Sequence, residues 1–146
     1  MKDKINRIEV VLNSLYNSIS FKKGGRPDLN KLKNLFLDEA RLIRTTKDSY
    51  QIMSVEEFVS NFNTQLDAGA FIEFSENEIQ KKIEMFGGIA HVFSTYETDF
   101  ETRGGKLEAR GINSIQLIEI NGEWKVVNIL WYNEDETNKI PEEYLP

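Results

Sequence analysis

The sequence contains no cysteine and a single histidine, His91. Without cysteine there are no disulfides and no thiolate metal sites, so the fold has to be held by packing. One histidine leaves only carboxylates as metal ligands, and Glu134, Asp135 and Glu136 read as a solvated tail, so neither a metal nor a cofactor is expected. Basic residues are in deficit, 18 against 24 acidic ones, for a net charge of -6. Binding a phosphate backbone requires clustered Lys and Arg, so nucleic acid is not an expected partner. Nor does any run approach the roughly 18 apolar residues of a membrane span. In MKDKINRIEVVLNSLYNSISF, Asp3, Asn6, Arg7 and Glu9 interrupt the stretch a signal peptide would need, and no small-residue cleavage site follows. A cytoplasmic protein without a membrane partner is expected.

The chain does have enough apolar and aromatic material for a core, 40% and 11% of its 146 residues, with Trp124 and Trp131 among them. One domain over 1–146 is expected, with 133–146 as an acidic tail from which Ile140, Tyr144 and Leu145 dock back. Ile5, Ile8, Leu12, Leu15 and Ile19 form one stripe of a helix over about 2–20. KKGGRP is a turn. Leu29, Leu32, Leu35 and Phe36 mark a second helix ending near Leu37, and Ala40 to Thr45 resembles a strand. Ser54 and Glu57 form a capping box opening a third helix, with Val55, Phe58, Val59, Phe62 and Leu66 on its buried side and Gly69 at its end. Strands are predicted over 71–74, 78–86, 89–101, 106–120 and 123–133. Gly87-Gly88 and Gly104-Gly105 fall between strands and read as turns, since a phosphate cradle needs a strand, glycine loop and helix in that order.

Asn121-Gly122 is a two-residue hairpin signal. It sets Gln116 opposite Val127, Ser114 opposite Ile129, Ile112 opposite Trp131 and Arg110 opposite Asn133. Centring the preceding turn on Arg103-Gly104 aligns Glu101 with Lys106 and Glu97 with Arg110, whereas centring it on Gly104-Gly105 juxtaposes like charges, so the first is preferred. One face then carries His91, Phe93, Thr95, Glu97, Arg110, Ile112, Ser114, Gln116, Val127, Ile129, Trp131 and Asn133. The other carries Ala90, Val92, Ser94, Tyr96, Asn113, Ile115, Leu117, Val126, Asn128, Leu130 and Tyr132. Both faces are substantially apolar and need covering. Three helices supply one cover, and a second copy of the chain is expected as the other, giving a homodimer through the outer sheet face. The fold class is α+β, a curved antiparallel sheet with three N-terminal helices packed on its concave face.

The order helix, helix, FLDEARLI, capped helix, then GGIAHVFSTYE and RGINSIQLIEINGEWKVVNILWYNED resembles the nuclear transport factor 2-like superfamily, the cone fold shared with SnoaL-like cyclases and ketosteroid isomerase. AHVFSTYE, RGINSIQL and the terminal IPEEYLP are similar to a bacterial subgroup within it. The resemblance implies a pocket between the concave face and the helices, a dimer through the outer face, and the His91 face turned inward. It also implies that Tyr16 stands for the tyrosine of the family's first helix. Arg44 falls where ketosteroid isomerase has its general-base carboxylate, and Gln116 where it has its oxyanion-hole acid, so isomerase chemistry of that kind is not expected.

The expected function is binding of a small organic molecule in the cone. Tyr16, Phe58, Phe62, Phe93, Thr95, Ile129 and Trp131 would contribute to the lining, with His91, Arg110, Ser114 and Gln116 as the polar set. One alternative is a cofactor-independent acid/base enzyme, a cyclase, isomerase or dehydratase, with His91 carrying the proton. Another is a non-catalytic dimeric assembly module whose cone its own side chains fill. Each candidate also has a structural reading. His91 can be a strand histidine bonded to Gln116, Glu97 with Arg110 a surface ion pair, and the aromatic residues plain core. Asp38 and Glu39 are adjacent and point apart, which makes a poor acid/base pair. Ser94 and Ser114 lack a nucleophile elbow.

Overall fold

The computed structural model describes residues 1–146. The stripe read from the sequence becomes α1 (Lys2–Ile19), with Ile8, Leu12, Leu15 and Tyr16 buried. Phe21 then bridges to Phe74, which ties the end of the helix to the sheet. In the KKGGRP turn Gly25 N–H donates to the Lys22 carbonyl over 2.8 Å. Asp28 caps the short α2 (Leu29–Lys33) by accepting from the Lys31 N–H. The expected second helix stops four residues early. Phe36 instead begins β1 (Phe36–Thr45), because the Val126 N–H donates to the Leu35 carbonyl and holds the chain against a neighbouring strand.

β2 (Tyr50–Ser54) completes a hairpin with β1 that the sequence reading did not contain. Tyr50, Gln51 and Ile52 are all exposed on this edge, so no alternation marks them. Ser54 then opens α3 (Val55–Asp67) through a complete capping box: its hydroxyl accepts from the Glu57 N–H and its own N–H donates to the Glu57 carboxylate, over 3.1 and 2.9 Å. These backbone and side-chain bonds from Ser54 hold the Glu57 carboxyl below its ordinary range.

The remaining strands, β3 (Glu73–Phe86), β4 (Ile89–Thr102), β5 (Gly105–Ile120) and β6 (Glu123–Asn133), form an antiparallel meander. The expected pair 71–74 and 78–86 is one continuous strand, β3, with an irregularity between Glu78 and Gln80. The full sheet has six strands in the order β2-β1-β6-β5-β4-β3, and it is mixed because β1 runs parallel to β6. The α+β cone holds, with that one pair departing from an all-antiparallel sheet.

The turn between β4 and β5 follows the Arg103-Gly104 register, with Glu101 opposite Lys106, Glu97 opposite Arg110 and His91 opposite Gln116. The Asn121-Gly122 turn also forms, with both residues at positive φ (53° and 81°) as a type I′ hairpin requires. Beyond it the expected β5–β6 register holds only to Leu117 opposite Val126. Gln116 then faces Asn128, so Val127 is an extra residue in β6, a β-bulge. From there the strand is shifted by one, with Ile115 opposite Ile129, Asn113 opposite Trp131 and Gly111 opposite Asn133. A one-residue shift turns every later side chain to the other face.

On β4 and β5 the concave face is the opposite of the one expected, whereas in β6 the bulge brings Ile129, Trp131 and Asn133 to the cavity side, as expected. Ala90, Val92, Ser94, Tyr96, Asn113, Ile115 and Leu117 are buried toward the helices, and after the bulge Ile129 joins them. His91, Phe93, Thr95, Arg110, Ser114 and Gln116 lie on the convex face. The physical reason is burial: the row from Ala90 to Tyr96 packs against the apolar stripe of α1, whereas the His91 row carries charge and amide groups that hydrate more readily.

The convex face is covered in part by the chain's own tail. The Thr95 hydroxyl donates to the Tyr144 carbonyl over 2.7 Å, and the rings of Phe93 and Tyr144 meet edge to face with centroids 5.0 Å apart. Arg110 holds the tail's start through two bonds to Glu134, of 3.0 and 3.3 Å. This is why Thr95, although it points outward, is 1% exposed. No helix is long and apolar enough to cross a membrane.

Candidate functional site

Between α1, α3 and the concave sheet lies a cavity of about 820 Å³. Its walls are aromatic because α3 presents Phe58 and Phe62 at helical spacing while β3, β4 and β6 present Phe74, Phe100 and Trp131 from their inward positions. With Phe71 these rings form a connected series whose neighbouring centroids are 5.8 to 6.2 Å apart. The edge-on contacts among them, such as Phe58 with Trp131 and Phe62 with Phe74, fix ring orientation as well as contributing burial. Exposed Arg44, Gln51, Asn61, Thr64 and Gln65 also line the cavity.

Its inner lining is polar. Glu76, on the inward side of β3 beside Phe74, lines the cavity and is half-buried. One of its oxygens accepts from the Thr98 hydroxyl over 3.2 Å. Burial pushes its carboxyl up to about 7, with the Thr98 bond opposing the rise. Tyr16 of α1 accepts from the Asn113 amide over 3.0 Å and sits 2.5 Å from the Ser94 hydroxyl. Ser94 donates its only proton to Glu78 over 2.5 Å, so the proton between Tyr16 and Ser94 belongs to Tyr16. Tyr96 donates to the Asn133 side-chain oxygen over 2.5 Å. Both phenols are held above their ordinary range, by burial first and then by the nearby Glu76 carboxylate.

Two features of the sequence position this group. Gly111 lies beneath Tyr96, and a Cβ there would overlap both the Tyr96 hydroxyl and the Tyr132 carbonyl. Only a residue without a side chain lets the phenol cross β5 to reach Asn133. The bulge at Val127 is the second, since it brings Asn133 and Trp131 to the cavity side.

Of the residues singled out from the sequence, Tyr16, Phe58, Phe62, Ile129 and Trp131 line the cavity. His91, Phe93, Thr95, Arg110, Ser114 and Gln116 do not. His91 Nε2 lies 3.0 Å from the Ser114 hydroxyl and Nδ1 3.4 Å from Glu84, and Gln116 accepts from Asn128 over 3.3 Å. The expected facing of His91 and Gln116 holds as register, but outside the cone. Glu76, Tyr96, Thr98 and Asn113 are site residues that the sequence reading does not contain, and Asn133 lies on the face expected inward without being among its candidates. The signal for Glu76 was its parity with Phe74, hidden because 75–77 were read as a break between strands.

A nuclear transport factor 2-like superfamily protein from Salmonella enterica serovar Typhimurium superposes with a TM-score of 0.74 at 17% identity, over 94% of this chain and 96% of that one. The chain has the nuclear transport factor 2-like fold. The crystal structure of LinA superposes equally well, at 0.74 with 11% identity, over 91% of this chain and 87% of that one. An NTF-2-like protein of unknown function from Silicibacter pomeroyi gives 0.65 at 13% identity, over 91% and 98%. No family model matches the sequence, and no curated protein matches it. Identities this low establish the nuclear transport factor 2-like cone and leave its chemistry to the residues inside.

Proposed function

We propose that this chain binds a small organic molecule inside the cone, without a cofactor, as a protein of the cytoplasm. The observation that carries this reading is the cavity of about 820 Å³, walled by aromatic rings and carrying Glu76, Tyr16, Tyr96 and Asn113 on its lining. Apolar walls with a few convergent polar groups are the usual character of a small-molecule site. A thermal-shift screen of a broad panel of small organic compounds tests it, run on the wild type and on Ala109→Trp, which adds an indole to the cavity wall. Compounds that stabilise the wild type and lose that effect in Ala109→Trp are the expected result. Finding no stabilising compound, or equal stabilisation of both proteins, would overturn the reading.

A second reading is proton-transfer catalysis, an isomerisation, dehydration or cyclisation. It is favoured by one observation: burial raises Glu76 to about 7 at the cavity wall, where a carboxyl can both take and give a proton at neutral pH. The proton carrier would be Glu76 in place of His91, which lies outside the cavity. Turnover with a pH dependence abolished by Glu76→Gln and preserved in His91→Ala supports this; turnover indifferent to Glu76→Gln refutes it.

We also propose a homodimer through the convex face. Phe86, Ile89 and Ile120, on the outward side of adjacent strands, remain 84%, 60% and 40% exposed, and the tail leaves them uncovered. Light scattering at micromolar concentration should give twice the 16.9 kDa chain mass. A monomer would remove this part.

A further inference from the structure

Proton bookkeeping on the cavity's polar groups narrows the ligand further, resting on the binding reading above. Each hydroxyl in the group has one proton to give. Tyr16 commits its proton to Ser94, Ser94 to Glu78, Tyr96 to Asn133 and Thr98 to Glu76. Asn113 spends one amide hydrogen on Tyr16. With Glu76 ionised, the free acceptors are its second oxygen, the side-chain oxygen of Asn113 and the spare lone pairs of Tyr96 and Thr98. The spare donors are amide hydrogens, the second of Asn113 and the two of Asn133.

A ligand group seated against ionised Glu76 must therefore donate a hydrogen bond. A carbonyl or carboxylate would bring further acceptors to a place already rich in them, and would leave buried acceptors facing one another. The charges agree. Arg44 is the one cationic side chain lining the cavity, and it is exposed to solvent, whereas Glu76 is half-buried within. Aromatic faces also attract cations through their quadrupole, and Phe58, Phe62, Phe74, Phe100 and Trp131 line the same cavity as Glu76.

We infer that the cavity takes an apolar ligand bearing a protonated amine, with the ammonium seated on the free oxygen of Glu76 and the apolar body among the rings of α3, β3 and β6. An ammonium carries three donors and no acceptor, which matches the free oxygen of Glu76 and the lone pairs of Tyr96 and Thr98. Tyr16 and Tyr96 keep their protons in their own bonds and accept, and Glu78 stays occupied by Ser94 and Lys81.

The test uses three probes of one shape, 4-phenylbutylamine, 4-phenylbutanol and 4-phenylbutanoate, titrated calorimetrically into the full chain at pH 8. The amine should bind at least about tenfold more tightly than the alcohol, as one charge-assisted bond implies, and the carboxylate should bind worst. Glu76→Gln, close in size and able to keep the Thr98 bond, should erase the preference for the amine while leaving the alcohol within about threefold. Alcohol binding as tight as amine binding, or an amine preference that survives Glu76→Gln, overturns the amine assignment while leaving cavity binding intact. If none of the three binds, the amine assignment falls as well, and the compound screen on Ala109→Trp decides the binding reading separately.

Discussion

Replacing Glu76 by Gln should stabilise the protein at alkaline pH and do almost nothing in acid. Burial raises the Glu76 carboxyl from 4.5 to about 7 in the folded chain. Below about pH 4.5 it is protonated whether the chain is folded or not, so folding is indifferent to its titration. Between about 4.5 and 7 the folded state holds a proton that the unfolded state has lost, and stability falls as pH rises. Above about 7 both states are ionised and the loss is complete. Each pKa unit is worth about 1.4 kcal/mol, so the full shift amounts to about 3 kcal/mol, reduced to about 2 if water in the cavity hydrates the carboxylate. Gln does not titrate and keeps an oxygen for the Thr98 hydroxyl.

Thermal and urea unfolding of both proteins from pH 4.5 to 8 at fixed ionic strength measures the effect. The difference between them cancels the other titrating groups, the shifted Glu57 included. At roughly 2 to 4 °C per kcal/mol for a chain of this size, Glu76→Gln should melt about 4 to 12 °C above the wild type at pH 8 and level with it at pH 4.5. A difference that stays constant across this range would refute the burial argument. A difference that shrinks as pH rises would show Glu76 stabilised as an anion and would equally refute it.

Leu12→Ala removes a fully buried side chain of α1 against the sheet and should cost about 2 to 5 kcal/mol in urea unfolding. Gly111→Ala forces a methyl group into the Tyr96 hydroxyl and the Tyr132 carbonyl and should cost about 1 to 3 kcal/mol; it should also lower the affinity of any cavity ligand, because Tyr96 and Asn133 move. Ser54→Ala removes the hydroxyl half of the capping box and should cost about 1 kcal/mol, with amide exchange accelerated in the first turn of α3 and unchanged in β4.

The sequence made the secondary structure legible where two signals coincided. α1 had a long apolar stripe, α3 a capping box at its start and a glycine at its end, and β4 to β6 had hairpin turns that fixed their registers near the turn. β2 had neither periodicity nor burial to reveal it, since an edge strand of five residues owes its form to its neighbour. The early end of α2 is similar: Leu32, Leu35 and Phe36 satisfy helical spacing, and only the partner strand, which no local pattern encodes, draws Phe36 into the sheet. For the site, the aromatic walls were legible because α3 advertised them. The polar lining was not, because the inward face was chosen by analogy and the alternation itself is symmetric between the two sides.

The bulge at Val127 shows why that choice could not be repaired locally. On an unbulged β6 the row that joins Ser94, Asn113 and Ile115 on the concave side would run through Asn128, Leu130 and Tyr132. Inserting one residue gives that side Ile129, Trp131 and Asn133, and sends Leu130 and Tyr132 out to meet the tail. Trp131 then closes the ring series against Phe58, and Asn133 receives the Tyr96 proton. With that proton committed, Tyr96 is left with lone pairs to offer at the cavity and Asn133 with its two amide hydrogens. A single unpaired backbone residue thus sets both the aromatic wall and the hydrogen-bonding polarity of the cone. Bulges leave no mark in hydrophobic patterning, so the residue that does most to define the cavity is one that does not itself line it.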